Sequence, residues 1–207
     1  MGERRPLQSR DARWAKAAAS RLASRRVPPN VISIGSVVFA AIAAAALIAS
    51  KLCGTDTPVR VALLILAAIS IQLRLICNLL DGMVAVEGKL GSKSGEIYND
   101  LPDRIADPLI LIAAGYATPY PALGWCAGLL AVFTAYVRLL GGSTGAGQDF
   151  RGPMAKPQRM AVMTMACLGE IFIREYVFIA ALALIILGCI ATIARRTANI
   201  KRILESR

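Results

Sequence analysis

Apolar residues in this chain gather into runs of about twenty instead of being interrupted every few positions. That is the length a helix needs to cross a bilayer core of roughly 30 Å. Six runs are legible, over about 31–50, 59–80, 102–117, 122–140, 160–173 and 176–194. Within hydrocarbon the backbone must satisfy its own polar groups, so each run is predicted to be a helix. Pro28 and Pro29 stop the segment before the first run, and Asn30 stands where it can cap the first membrane helix. A KLCGTDTP loop parts the first two runs, a TPYP turn ends the third, and IREY divides the fifth from the sixth. The pattern predicts an all-α integral membrane protein with about six transmembrane helices, preceded by an N-terminal interfacial helix. A single membrane domain suffices: a basic juxtamembrane segment at 1–26, a six-helix bundle at 27–194 and a basic cytoplasmic tail at 195–207.

Charge adds an orientation. The 207 residues are 56% hydrophobic and carry a formal net charge of +11. Such an excess could attract nucleic acid, but its distribution argues for lipid instead. Arg4, Arg5, Arg10, Arg13, Lys16, Arg21, Arg25 and Arg26 precede the first run, and Arg195, Arg196, Lys201, Arg202 and Arg207 follow the last. Basic residues beside spans mark the cytoplasmic side and favour anionic membrane lipids. Six spans return both termini to that side, together with the polar loops after the second and fourth runs. The expected setting is a multi-pass protein of a bacterial inner membrane, with termini and active site cytoplasmic. Within 1–26, Trp14, Ala18 and Leu22 are spaced to share one side of a helix lying on the membrane surface; the plainer reading is an unstructured basic tail. No small-residue cleavage site follows a short apolar core there, as a secretory signal would require.

Histidine is absent, which excludes histidine triads, histidine zinc sites and histidine proton shuttles. The five cysteines lie in or beside apolar runs without CxxC spacing and read as small buried hydrophobes.

One long polar passage, residues 78–107, holds Asp81, Glu87, Glu96, Asp100, Asp103 and Asp107. Carboxylates at the edge of a membrane core are costly unless a metal, a cation or a hydrogen-bond network holds them. At 100° per residue, Asn78, Asp81 and Ala85 share one side of the second helix. Gly82 leaves room there for a bulky group such as phosphate. Arg74 lies within about 20–40° of that face, deeper in the span, where it could pair with Asp81 or a substrate phosphate. On the third helix, Glu96, Asn99, Asp100, Asp103 and Asp107 fall within an arc of about 100°. If the two helices pack as a hairpin, hard oxygen donors converge in a way that suits Mg²⁺ or Mn²⁺. Pro102 is expected to start or bend the third helix, leaving Glu96 and Asn99 in a bent first turn. Acidic loop residues that merely solvate the interface are the bland alternative.

These residues resemble the signature of the CDP-alcohol phosphatidyltransferase family, D-x2-D-G-x2-A-R-x8-G-x3-D-x3-D. Here it reads Asn78-x2-Asp81-Gly82-x2-Ala85-Val86-x8-Gly95-x3-Asn99-x3-Asp103. Every spacing is kept, while Asn78, Val86 and Asn99 depart in residue type. The PPNVIS segment at 28–33 is similar to the entry of the family's first membrane helix. Arg138 and the basic GPMAKPQRMA segment match places where the family commonly binds the acceptor's polar group.

The resemblance implies six helices, a cytoplasmic-side site, a homodimer, and a displacement at phosphorus. CDP-diacylglycerol would set its pyrophosphate on divalent metal, a small alcohol would attack the β-phosphorus, and CMP would leave. It implies metal ligands among Asp81, Asp103, Asn78, Asn99, Asp107, Asp100 and Glu96, with Asp103 also the catalytic base. CDP would lie on Asn30, Asp81, Gly82, Ala85 and Gly95. An anionic acceptor would meet Arg138, Arg151, Lys156, Arg159 and Arg74. Two Asp-to-Asn departures remove negative charge from a site meant for divalent ions, for which Glu87, Glu96, Asp100 and Asp107 could compensate. A catalytically silent relative that binds CDP-lipid or a membrane partner stays open on the same departures. A small transporter fits less well, because Arg74 and Gln72 are among few polar residues at mid-span.

Overall fold

The computed structural model describes residues 12–54, 57–88, 95–173 and 176–206, leaving aside the side chains of Glu87, Glu96 and Asn99. Among these residues seven helices succeed one another: α1 (Arg13–Ser24), α2 (Pro29–Leu52), α3 (Pro58–Glu87), α4 (Gly95–Tyr116), α5 (Pro121–Ser143), α6 (Lys156–Gly169) and α7 (Val177–Glu205). Helices α2 to α7 answer the six apolar runs one for one. Four of them, α2, α3, α5 and α7, are long and apolar enough to cross a membrane. Helix α4 is interrupted by Asp100, Asp103, Arg104 and Asp107, and α6 has only 14 residues.

Helix starts reflect local chemistry. Pro29 and Pro58 each occupy the first turn of their helix, where a missing N–H costs nothing. Thr57 caps α3 by accepting the Arg60 N–H at 3.3 Å. Asn30 does not cap α2: the extended residue before the helix is Pro28, and Asn30 already lies in the first turn. Helix α4 also departs from expectation, starting at Gly95 and running through both Pro102 and Pro108. Each proline removes a backbone donor, and packing carries the helix across them. Pro102 is buried, and Pro108 lies so close to α5 that a Cβ on Gly128 would come within 3.3 Å of its Cα.

Helix α2 packs against both α3 and α4, α4 pairs with α5, α5 with α7, and α6 lies on α3 and α7. Ala40, Ala43 and Leu47 of α2 meet Leu64 and Ile71 of α3 and Ile110 and Leu111 of α4 in one core. Near the TPYP turn the backbones of α4 and α5 almost touch. A Cβ on Gly124 would lie 2.6 Å from the Leu111 carbonyl oxygen, and one on Gly115 would lie 2.7 Å from the Gly124 Cα. The expected hairpin of α3 on α4 is not a close-packed pair; these helices approach at few points, and long polar side chains span the gap between them.

Helix α1 docks on α3 through Ala15 and Ala19, which contact a cluster of Leu79, Leu80, Met83 and Val84. Of the expected Trp14–Ala18–Leu22 side, Ala18 and Leu22 pack half-buried against the same cluster, and only Trp14, 52% exposed, stays off it. Alanine allows the closer approach, and the bulky indole stays outside.

Candidate active site

The polar side chains between α3 and α4 are held by four helices. Arg74 is fully enclosed; its Nη2 donates to Asp103 Oδ1 at 3.1 Å and lies 2.5 Å from Asp107 Oδ1. The second contact is an ion pair without the alignment of a hydrogen bond, so Asp107 Oδ1 makes none, and neither do Arg74 Nε and Nη1. One turn along α3, Asn78 Nδ2 donates to the same Asp103 Oδ1 at 2.7 Å. Asp81, one turn further, is buried and accepts two hydrogen bonds, from the Ser33 hydroxyl of α2 at 2.6 Å and the Gly82 N–H at 2.5 Å. Asp103 and Lys156 are both near enough for their charges to act on Asp81.

Helix α6 closes the cluster. Lys156, its first residue, donates from Nζ to Asp103 Oδ2 at 2.5 Å. One turn later Arg159, buried, donates to Asp107 Oδ2, to Thr134 Oγ1 at 3.2 Å and to the Met154 carbonyl at 2.9 Å. Asp103 and Asp107 thus share three cations while Asp81 is held by neutral donors, and pairing is how buried charge is accommodated in a low-dielectric setting.

The loop that delivers Lys156 is clamped to α7. The Met154 N–H donates to Thr192 Oγ1 at 3.0 Å, and Arg196 donates to the Arg151 carbonyl at 2.8 Å and to the Thr134 carbonyl at 2.6 Å. Gly152 adopts φ +122°, a conformation suited to glycine, and a Cβ there would run into Thr192. Asp149 accepts from Arg151 and from Asn199 Nδ2. Burial pushes its carboxyl up, but the hydrogen bonds and charge of Arg151, with Asn199, outweigh that and hold it below the ordinary aspartate value. The loop is therefore anchored by a charged carboxylate at neutral pH.

The residues expected at the site divide into three groups. Asn78, Asp81, Asp103, Asp107, Lys156 and Arg159 are brought together. Arg74 joins them, but its partners are Asp103 and Asp107; the expected pairing with Asp81 is not made, and its enclosed guanidinium presents no face to a phosphate. Asp100 is engaged elsewhere, bound through both oxygens by Arg138 at 2.9 Å and approached by Arg104 at 3.4 Å. Arg138 also lies over the Phe150 ring. Arg151, 63% exposed, is turned to Asp149. Gly82 and Ala85 lie on α3, Asn30 opens α2 and Gly95 opens α4; the side chains of Glu96 and Asn99 lie outside the described residues. Sequence reasoning misses Ser33 and Thr134. Ser33 belongs to the PPNVIS segment, a signal sufficient to find it, whereas nothing local marks Thr134.

Among the described residues no three Asp, Glu or Cys side chains are grouped to hold a metal ion. The donor type nevertheless suits one: Asp81, Asp103 and Asp107 offer hard carboxylate oxygens, and the oxygen of Asp103 nearest α6 is occupied by a lysine.

No protein-family profile and no curated protein matches the chain. Solved structures do. Crystal structures of Mycobacterium tuberculosis phosphatidylinositol phosphate synthase (PgsA1) superpose along most of its length. The form with CDP-DAG bound aligns with TM-score 0.75 and 16% identity over 91% of this chain and 94% of that one. The form in complex with manganese and citrate gives 0.73 and 16% over 90% and 88%. This chain shares that fold. In the apo form of the same synthase the TM-score is 0.71 over 89% of this chain.

Proposed function

We propose that this protein is a CDP-alcohol phosphatidyltransferase, moving the phosphatidyl group of CDP-diacylglycerol to a small alcohol, plain or phosphorylated, with release of CMP. The observation that carries the reading is the meeting of Asn78 and Asp81 with Asp103, whose spacing matches the family signature, in the fold of a synthase solved with CDP-DAG. Asp81, Asp103 and Asp107 would hold Mg²⁺ or Mn²⁺, with Asn78, Asn99, Asp100 and Glu96 as further candidates. When bound, the metal would supply charge stabilisation to the phosphoryl oxygens and the leaving group.

The chain's own residues account for the other requirements. Ser33 and the Gly82 N–H orient Asp81. The acceptor oxygen forms a bond to the β-phosphorus as the bond from that phosphorus to CMP breaks, and Asp103 takes the hydroxyl proton once Lys156 has left it. Lys156 and Arg138, both partly exposed, furnish positive charge for an anionic acceptor or the departing phosphate, with Arg159 adding its charge from behind while it holds Asp107. The protein would lie in a bacterial inner membrane as a six-span homodimer, with the site on the cytoplasmic side.

CMP release from CDP-diacylglycerol by the purified protein in lipid nanodiscs tests this, with Mg²⁺ or Mn²⁺ and a panel of alcohols. Acceptor-dependent release is expected, falling by roughly 10²-fold or more in Asp103→Asn, as removal of a general base does. A silent lipid-binding relative is the second reading, favoured by the pairing of Asp103 and Asp107 with Arg74, Lys156 and Arg159. Saturable CDP-diacylglycerol binding without release for any alcohol would decide for it.

A further inference from the structure

We propose that Lys156 is a built-in counter-ion that occupies the place of a divalent metal beside Asp103 and leaves it when an anionic ligand arrives. The inference deepens the transferase reading and rests on it. Both oxygens of Asp103 are engaged, Oδ1 by Asn78 and Arg74 and Oδ2 by Lys156. Of these partners Lys156 is the one built to move. Arg74 is wholly enclosed, and Asn78 is short and lies within the long helix α3. Lys156 begins α6, its side chain is 26% exposed, and its ammonium sits on a flexible four-carbon stem.

Asn78 sharpens the competition. In place of a second negative charge it offers an N–H donor to the carboxylate, so Asp103 is fully satisfied by protein groups and attracts a divalent ion less strongly. A metal reaching Oδ2 must displace an ammonium only 2.5 Å from that oxygen, and the two cations repel. A phosphate group near α6 offers Lys156 an alternative partner, and its departure frees Oδ2. Metal and anionic lipid then bind with positive coupling, each raising the other's affinity by the same factor.

Mn²⁺ titration of the full chain in nanodiscs, monitored by the electron paramagnetic resonance of free Mn²⁺, tests this without reference to turnover. Lys156→Gln is expected to bind Mn²⁺ on the order of tenfold more tightly than wild type in lipid without CDP-diacylglycerol. Adding CDP-diacylglycerol should tighten Mn²⁺ binding more in wild type than in Lys156→Gln. Lys156→Arg, which keeps the charge, should stay near wild type. Lys201→Gln removes an equal charge from an exposed position on α7 and should also leave the affinity unchanged. An unchanged or weaker affinity in Lys156→Gln overturns the proposal, as does equal tightening in Lys156→Arg or Lys201→Gln, or no Mn²⁺ binding by any of these proteins. Unchanged affinity beside acceptor-dependent CMP release would remove the counter-ion and leave the transferase. Tighter binding in Lys156→Gln without CMP release from wild type would do the reverse.

Discussion

Arg159 ties together three elements that sequence separates widely. Its guanidinium neutralises Asp107 of α4, bonds the Thr134 hydroxyl of α5 and closes the loop before α6 through the Met154 carbonyl. Truncation leaves Asp107 with Arg74 alone, in a contact that is not an aligned hydrogen bond. Removing one member of a buried ion pair costs about 3–5 kcal/mol, so Arg159→Met is expected to lower the unfolding temperature in detergent sharply. Arg159→Lys should recover part of the loss, since an ammonium can pair with Asp107 but cannot span all three partners in the planar geometry of a guanidinium. Wild-type melting of Arg159→Met would show that the cluster does not bear on stability. The same logic accounts for Arg74. A cation inside an apolar run requires a partner, but helical spacing points to Asp81 on its own helix, and the partners come from α4.

Helix α4 is the element that departs most from its local propensities, with two prolines in its interior and a row of charges between positions 100 and 107. It is stabilised from outside, by α2 along one side and by α5 along the other. Between α4 and α5 the contact is backbone to backbone, the arrangement that small residues permit where lipid offers no hydrophobic gain from association. Gly124→Ala would put a methyl carbon 2.6 Å from the Leu111 carbonyl and 2.8 Å from the Gly115 Cα. The helices must separate to admit it, at about 1–3 kcal/mol for an overpacked contact. Gly128→Ala, whose Cβ would meet Pro108 at 3.3 Å, is expected to cost less. Thermal unfolding of the two variants side by side measures the difference, and an equal or opposite ranking would contradict the packing described.

Across the whole molecule, basic residues crowd the two terminal segments while apolar side chains such as Leu129, Phe133, Leu184 and Leu187 cover the outside of the helices. Such an exterior fits lipid, where exposure of these residues carries no penalty. The charge asymmetry predicts that both termini lie in the cytoplasm. Reporters that fluoresce only in the cytoplasm should be active when fused at either end, and one inserted in the α2–α3 loop should be dark. Fluorescence from one terminus alone would require an odd number of crossings and remove α4 or α6 from the membrane.

Hydrophobic periodicity determined the helices, since a backbone in hydrocarbon has few other ways to satisfy its polar groups. The spacing of Asn78 to Asp81 on one helix likewise marked a candidate site, because residues three and four apart on a helix share a face. What no local pattern could set is which face meets which. That α3 and α4 stand apart, that α1 buries Ala15 and Ala19 and leaves Trp14 outside, and that helix α4 persists through Pro102 all result from packing between distant segments. The pairing of Lys156 with Asp103 and of Arg159 with Asp107 joins residues more than fifty positions apart. Only the tertiary fold decides such contacts, because the energy of a buried charge depends on the partners that the other helices bring to it.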